Sequence, residues 1–194
     1  METRIEIQQY IPALQPEWDC FIANSRNGTF LFFRNYMDYH SDRFIDNSLL
    51  FRYKGKLIAV LPANREGDVL WSHQGLTYGG LVLSSKCTAD RVLNIFSLLF
   101  SWLSEQGFSK LVYKCVPDIY HYPSQEDLYA LFRNNARLVA RNLSTTVSIP
   151  CRIPFSQLRR RGIKRALSCG IVVQESSDLE NFWRVLSENL SDRY

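Results

Sequence analysis

The chain is poor in the residues that build metal and redox sites. Histidine occurs only at 40, 73 and 121, and no two of these residues have the HxxxH or CxxH spacing that ligates zinc, so no metal is expected. The five cysteines, Cys20, Cys87, Cys115, Cys151 and Cys169, are odd in number and form no CxxC pair. They sit in apolar or helical contexts, so reduced and mostly buried thiols are expected rather than a disulfide framework. No GxxxxGK[ST] loop occurs, which leaves direct nucleotide hydrolysis without support. The longest apolar stretch, Val92 to Leu103, is too short and too interrupted to span a bilayer. The opening Met-Glu-Thr-Arg-Ile-Glu has no basic segment followed by an apolar run, so no signal peptide is read there. A cytoplasmic protein without a membrane span is the expectation. No internal repeat or low-complexity segment is visible.

What is there can form a core. The 194 residues are 46% hydrophobic and 13% aromatic, which excludes intrinsic disorder. That length suits one large domain, or one domain with a fragment of another. The net charge of +4 is unevenly placed: residues 1–151 carry 15 basic and 14 acidic side chains, residues 152–194 carry 8 and 5. Arg152 to Arg165 holds six basic residues and no acid. That is a local anion-site signal, not a genome-binding surface.

Arg4 to Tyr10 alternates like a first strand, and Pro16 marks a first helix whose stripe is Trp18, Phe21 and Ile22. A short second helix is expected over Arg34–His40. Strands over Ser48–Tyr53 and Lys56–Ala63 meet at Lys54-Gly55, a tight hairpin turn, and Asp68–Trp71 joins that meander. A glycine-bearing loop, Ser72 to Gly80, precedes Leu81-Val-Leu83. The clearest helix runs from Thr88 to Gln106 and stops at Gly107. Lys110–Val116 reads as a central strand, Pro123-Ser124 caps a helix ending at Asn134-Asn135, and Ala136–Ile149 supplies one or two strands. Meanders mixed with single crossover helices predict a three-layer α/β domain around a mixed sheet.

The tail reads as a basic helix over Phe155–Cys169, a strand over Ile171–Gln174, and a helix beginning at Ser177. Ser177 and Glu180 have capping-box spacing, ahead of Phe182, Trp183, Leu186 and Leu190. These three elements bury little of each other's apolar surface. Residues 154–194 are therefore expected to pack against a partner, either further chain or another subunit.

In the basic helix, Leu158, Gly162, Ile163, Ala166 and Cys169 share one face, and Arg159 falls near its middle. A half-buried guanidinium needs an anionic or carbonyl partner. Arg159 therefore reaches an anionic ligand in a cleft, or forms a structural ion pair, or precedes the helix start. In the Ser72–Gly80 loop, three glycines beside His73 and Tyr78 allow close backbone approach to a ligand; glycines at strand ends also mark simple bulges. Ser72 and His73 are adjacent, which argues against a Ser–His nucleophile pair. For Phe30–His40, packing onto the sheet is the favoured reading, with Arg34 kept as a cleft candidate. The candidate substrate-binding residues are Arg34, His73, Tyr78, Gly79, Gly80 and Arg159. No catalytic residue is assigned.

Three segments resemble the FemAB-like branch of the GNAT acyltransferase superfamily. Trp18 with Ser25-Arg-Asn-Gly-Thr-Phe-Leu31 looks like the early helix and loop of the first of two GNAT-like domains. Ser72-His-Gln-Gly-Leu-Thr-Tyr-Gly-Gly80 is similar to the glycine-containing segment after its strand meander. Arg161-Gly-Ile-Lys-Arg-Ala-Leu-Ser-Cys-Gly-Ile-Val-Val173 looks like the Arg-x-x-Ile-Arg/Lys-x-Ala-x-x-x-Gly-Val-x-Val signature that opens the second. The resemblance implies a GNAT-like domain over 1–150, with a central mixed, largely antiparallel sheet. It implies that 151–194, as a helix–strand–helix fragment, begins a second such domain. The implied activity is transfer of an acyl or aminoacyl group to an amine on a small-molecule or peptide-like acceptor. The donor, acyl-CoA or aminoacyl-tRNA, would be engaged by the second domain, so these residues alone would be inactive and hold no cofactor of their own. The rival reading is a non-catalytic binding or assembly module whose C-terminal helices dock on another subunit, a homo-oligomer through 154–194 being one form of it. No nucleic-acid partner is expected, because the tail shows no aromatic stacking platform beside its basic helix.

Overall fold

The computed structural model describes residues 5–120 and 125–191. The chain is a mixed α/β protein that divides into two compact units, Met1–Val139 and Ala140–Tyr194.

In the first unit, β1 (Ile5–Gln9) leads through Pro12 into α1 (Gln15–Ala23), with Pro16 in its first turn. A 3-10 turn over Phe30–Phe32 precedes α2 (Arg34–Met37) and a further 3-10 turn, Asp38–His40. Next come β2 (Ile45–Asp46), β3 (Leu49–Tyr53), β4 (Lys56–Leu61), β5 (Asn64–Glu66), β6 (Val69–Trp71) and β7 (Val82–Leu83). The unit closes with α3 (Ala89–Glu105), β8 (Lys110–Val112) and α4 (Glu126–Arg133). Lys54 and Gly55 both take positive φ, 52° and 72°, the conformation that a tight hairpin turn demands. The cap expected at Pro123-Ser124 lies outside the described residues.

The strands form two four-stranded sheets, ordered β1-β3-β4-β7 and β2-β5-β6-β8. Every pairing is antiparallel except β6 with β8. The alternation of β3 sorts the layers of the first sheet. Leu49 and Phe51 join Ile95, Phe96 and Leu99 of α3 in one core, while Leu50, with Val60 and Val82, packs with Trp18, Ile22, Phe32 and Met37 in the other. Helices therefore cover both faces of that sheet, in a three-layer arrangement.

One long hairpin belongs to both sheets. Its outer part is β2 with β5 and its inner part β3 with β4, and it changes sheet at Asn47–Ser48 opposite Ala63. The buried Ser48 hydroxyl accepts from Ala63 N at 3.1 Å and donates to Ala63 O at 3.3 Å, so the backbone groups at this fork are satisfied. The loop over residues 72–80 spans the same fork, linking β6 in one sheet to β7 in the other.

Several expectations are corrected. Lys110–Val112 is an edge strand rather than a central one, and residues 136–148 form no strand. Of the five cysteines only Cys87 is buried; Cys20, Cys115, Cys151 and Cys169 are exposed.

The second unit has a 3-10 turn over Ile149–Cys151, then α5 (Gln157–Ser168) and α6 (Leu179–Ser191). Ser156 caps α5 by accepting from Arg159 N at 3.3 Å, and Gly170, with φ 74°, follows its end. The expected strand at Ile171–Gln174 is not formed, so the fragment is helix–coil–helix: among the described residues of this unit no strand supplies the ladder that would hold it. The cap of α6 is Asp178 rather than Ser177, its carboxylate accepting from Asn181 N at 3.1 Å.

Candidate functional site

The Ser72–Gly80 loop is the most closely specified part of the first unit. Ser72 extends the β6–β8 pairing: its N–H donates to Val112 O at 2.9 Å, and its hydroxyl accepts from Lys114 N at 2.6 Å. Asn64 then reads Gln74 twice. Its Oδ1 accepts from Gln74 N at 2.7 Å, and its Nδ2 donates to Gln74 Oε1 at 2.6 Å.

The loop winds around a single ammonium. Lys114 Nζ donates to the carbonyls of His73, Gln74 and Leu76 at 3.2, 3.1 and 2.7 Å. Burial lowers the pKa of this amine from its ordinary value. His73 sits inside the turn at φ 67°, only 3% exposed, its ring 5.5 Å from that of Phe44 and its Nδ1 buried without a partner. Burial lowers its pKa to about 4, so the imidazole is neutral at pH 7. The nearby Asp46 carboxylate opposes that shift, while Arg34, Lys114 and His40 reinforce it.

At the far end of the loop, the glycines close on the protein's own atoms. A Cβ on Gly79 would stand 1.7 Å from Ser72 O; one on Gly80, which has φ 86°, would stand 2.8 Å from both Lys114 O and the Tyr113 hydroxyl. The close approach is thus backbone against backbone at Gly79, and against both backbone and the Tyr113 ring at Gly80. Tyr78 is buried between Phe32 and Tyr120, with ring centroids 5.8 and 5.3 Å away, and its hydroxyl donates to Thr29 Oγ1 at 2.9 Å. Beyond Gly80, Leu81 N donates to Tyr113 Oη at 2.7 Å, and that hydroxyl donates to Asp127 Oδ2 at 2.9 Å. Burial raises the Tyr113 pKa well above its ordinary value, with Asp127 adding to the effect. Asn27, also buried, accepts from Leu83 N at 2.8 Å and donates to Leu81 O at 2.9 Å, anchoring β7.

Arg34 lies beneath this loop and is 2% exposed. Its guanidinium is bound by the carboxylates of Asp38 and Asp46, donates to Ser48 Oγ at 3.4 Å, and stacks 3.8 Å from the Tyr10 ring centroid. Asp19 Oδ1 accepts from its backbone N–H at 2.9 Å, fixing the start of α2 to α1. Arg34 is thus paired with Asp46, the carboxylate whose charge also acts on the neutral His73 ring. Tyr78, Gly79 and Gly80 occupy the other arm of the same loop.

Arg159 belongs to the second unit. It lines a shallow concavity on α5 with Leu158, Gly162, Ile163 and Ala166. The sequence reading placed it half-buried on the apolar face; the structure keeps it on that face but exposed, because the face is open. Among the described residues it has no ion-pair partner, so the structural ion pair is not formed.

Sequence reasoning missed Lys114, Ser48, Asn64, Asn27 and the Tyr113–Asp127 pair. Lys114 was detectable as a lone cation in the apolar run Leu111-Val-Tyr-Lys-Cys-Val116. Among the described residues no group of three or more His, Cys, Asp or Glu is arranged to hold a metal, and no helix is long and apolar enough to cross a membrane.

No family model and no curated protein sequence matches this chain. Among solved structures it is similar to an aminoglycoside N-acetyltransferase, AAC(6')-Iy, determined in complex with CoA. That likeness has a TM-score of 0.43 and 8% sequence identity, and it covers 78% of this chain and 98% of the other.

Proposed function

We propose that the first domain, residues 1–150, holds the acceptor side of a FemAB-like acyltransferase that moves an acyl or aminoacyl group onto an amine. Residues 151–194 would open a second GNAT-like domain that engages the donor, acyl-CoA or aminoacyl-tRNA. The observation that carries this reading is the Arg161–Val173 signature, standing in one chain with the layered α/β unit and glycine-bearing loop that the same resemblance implies.

In such a reaction the amine attacks the donor's carbonyl, and the thiol or ribose hydroxyl leaves. The chief contribution of the protein is to hold both reactants in attack geometry. The amine must lose its proton to a carboxylate, a water chain or another group of the substrate. Neutral His73 has a free nitrogen but is 3% exposed, so we assign it no part in that step. Arg34, His73, Tyr78, Gly79 and Gly80 would act through the shape of the loop, which presents Thr77 at its exposed tip. Arg159, exposed and unpaired, would serve an anionic ligand.

The test is a screen of amine acceptors by amide NMR on the intact chain, followed by transfer assays with both donor classes. Shifts confined to residues 72–80 and their neighbours, with no turnover by this chain alone, are expected. If no amine perturbs that loop, the reading falls.

A further inference from the structure

Among the described residues the two sheets have four edge strands, and three of them are blunted by being short. β2 and β7 have two residues each and β8 has three. β1 has five, and it pairs with β3 in unbroken register from Ile5 opposite Tyr53 to Gln9 opposite Leu49. No proline, lysine or bulge interrupts it, and among the described residues no strand pairs with its other side.

One hydrogen bond shows what that edge offers. Tyr10 N donates to Ser48 O at 2.8 Å, so by alternation Glu6 and Gln8 also bond to β3. The N–H and C=O groups of Ile5, Ile7 and Gln9 then point away from it. The side chains of Ile5 and Ile7 turn toward the α3 core, and between them and the flank of α3 lies a groove. Leu98 and Trp102 line this groove and are only half-buried, as is Ile7. Two part-covered apolar side chains of the helix thus flank the place a further strand would take, about 4.8 Å beyond β1. Arg91 also lines the groove, its guanidinium 4.5 Å from the Tyr53 ring centroid and so at the Ile5 end of the strand.

We propose that this groove takes an extended peptide, which adds as a strand antiparallel to β1. Its alternate side chains would be apolar, resting on Leu98 and Trp102, with an acidic residue brought to Arg91. Donors and acceptors repeated along a strand edge are matched by another backbone; a lipid or a small molecule has no such repeat. This inference goes beyond the acyl-transfer reading and does not rest on it.

The probe is the peptide acetyl-Lys-Thr-Val-Thr-Val-Thr-Asp-amide, whose valines and aspartate share one face. N-methylation at the valines removes N–H groups that would face β1; at the threonines it removes only those that face outward. In amide NMR of the intact chain, the parent and the threonine-methylated peptide should slow exchange at Ile7 and Gln9. The valine-methylated form should bind at least about tenfold more weakly. Two variants should weaken the parent peptide by a similar factor and leave the sheet intact. Gln9→Pro removes an outward N–H at an edge position where proline is tolerated, and Ser101→Arg fills the groove from an exposed site on α3. The proposal is overturned if the parent peptide leaves β1 unperturbed, if the two methylated forms bind alike, or if neither variant weakens binding. It is also overturned if the Ile7 and Gln9 amides are already protected without peptide, whether by the chain itself or, at high concentration, by a second copy.

Discussion

Gly79 lies directly against the carbonyl of Ser72, where a Cβ would come within 1.7 Å of the oxygen. Both residues are buried, and they belong to the two arms of one loop. No side-chain rotation relieves such a clash, because the obstacle is backbone. Gly79→Ala should therefore push the arms apart and cost more than about 3 kcal/mol, measured as a loss of unfolding free energy in urea. Gly67, at the tip of the β5–β6 turn with nothing within 4 Å, is the control. With open space around it, Gly67→Ala meets only the strain of its positive φ, a cost of about 1 kcal/mol.

Lys114 holds three carbonyls that otherwise face one another. Lys114→Met keeps most of the aliphatic stem and removes the ammonium, leaving those oxygens without their donor. The expected loss is about 2–3 kcal/mol. It should be accompanied by faster amide exchange confined to residues 73–76, rather than across the sheets.

Tyr113→Phe removes one oxygen and takes the partner from two buried atoms, the N–H of Leu81 and Oδ2 of Asp127. A loss of about 2–3 kcal/mol is expected. The double variant Tyr113→Phe with Asp127→Asn should cost less than the sum of the two single changes, which a double-mutant cycle reads directly.

Stability should fall with acid through His73. Burial lowers its folded pKa from 6.5 to about 4, so below pH 6.5 the unfolded chain takes up a proton that the folded chain refuses. The contribution of the neutral ring is present above pH 6.5 and is lost progressively as the pH falls toward 4, by about 3 kcal/mol in all. Asparagine tolerates the left-handed backbone and does not titrate, so His73→Asn should flatten that part of the pH–stability curve. A variant whose curve stays parallel to the unaltered protein's would contradict this assignment.

Elements with local signals were legible. Gly107, at φ 74°, ends α3 where expected, Lys54-Gly55 turns the hairpin, and Gly170 follows the end of α5. The failures share a cause. Ile171–Gln174 is β-branched and apolar, but a strand exists only beside another strand, and composition does not say whether one is near. In the candidate site, the pairing of Arg34 with Asp38 follows helical spacing, whereas Asp46 comes from β2 and left no trace in the periodicity. The partners of Lys114 are backbone carbonyls, which every residue owns. Their convergence is a property of the folded loop and has no residue type to announce it.

The loop at the sheet fork relies on residues made much later. Its hydrogen-bond partners Tyr113 and Lys114 follow α3 in the chain, and Asp127, which holds Tyr113, lies in α4. On the ribosome, β3 has its partners β1 and β4 at once, but residues 72–80 must wait until the chain beyond Asp127 has emerged. The first unit therefore acquires this segment last, and a nascent chain halted before α4 would carry a paired hairpin with an unmade turn beside it.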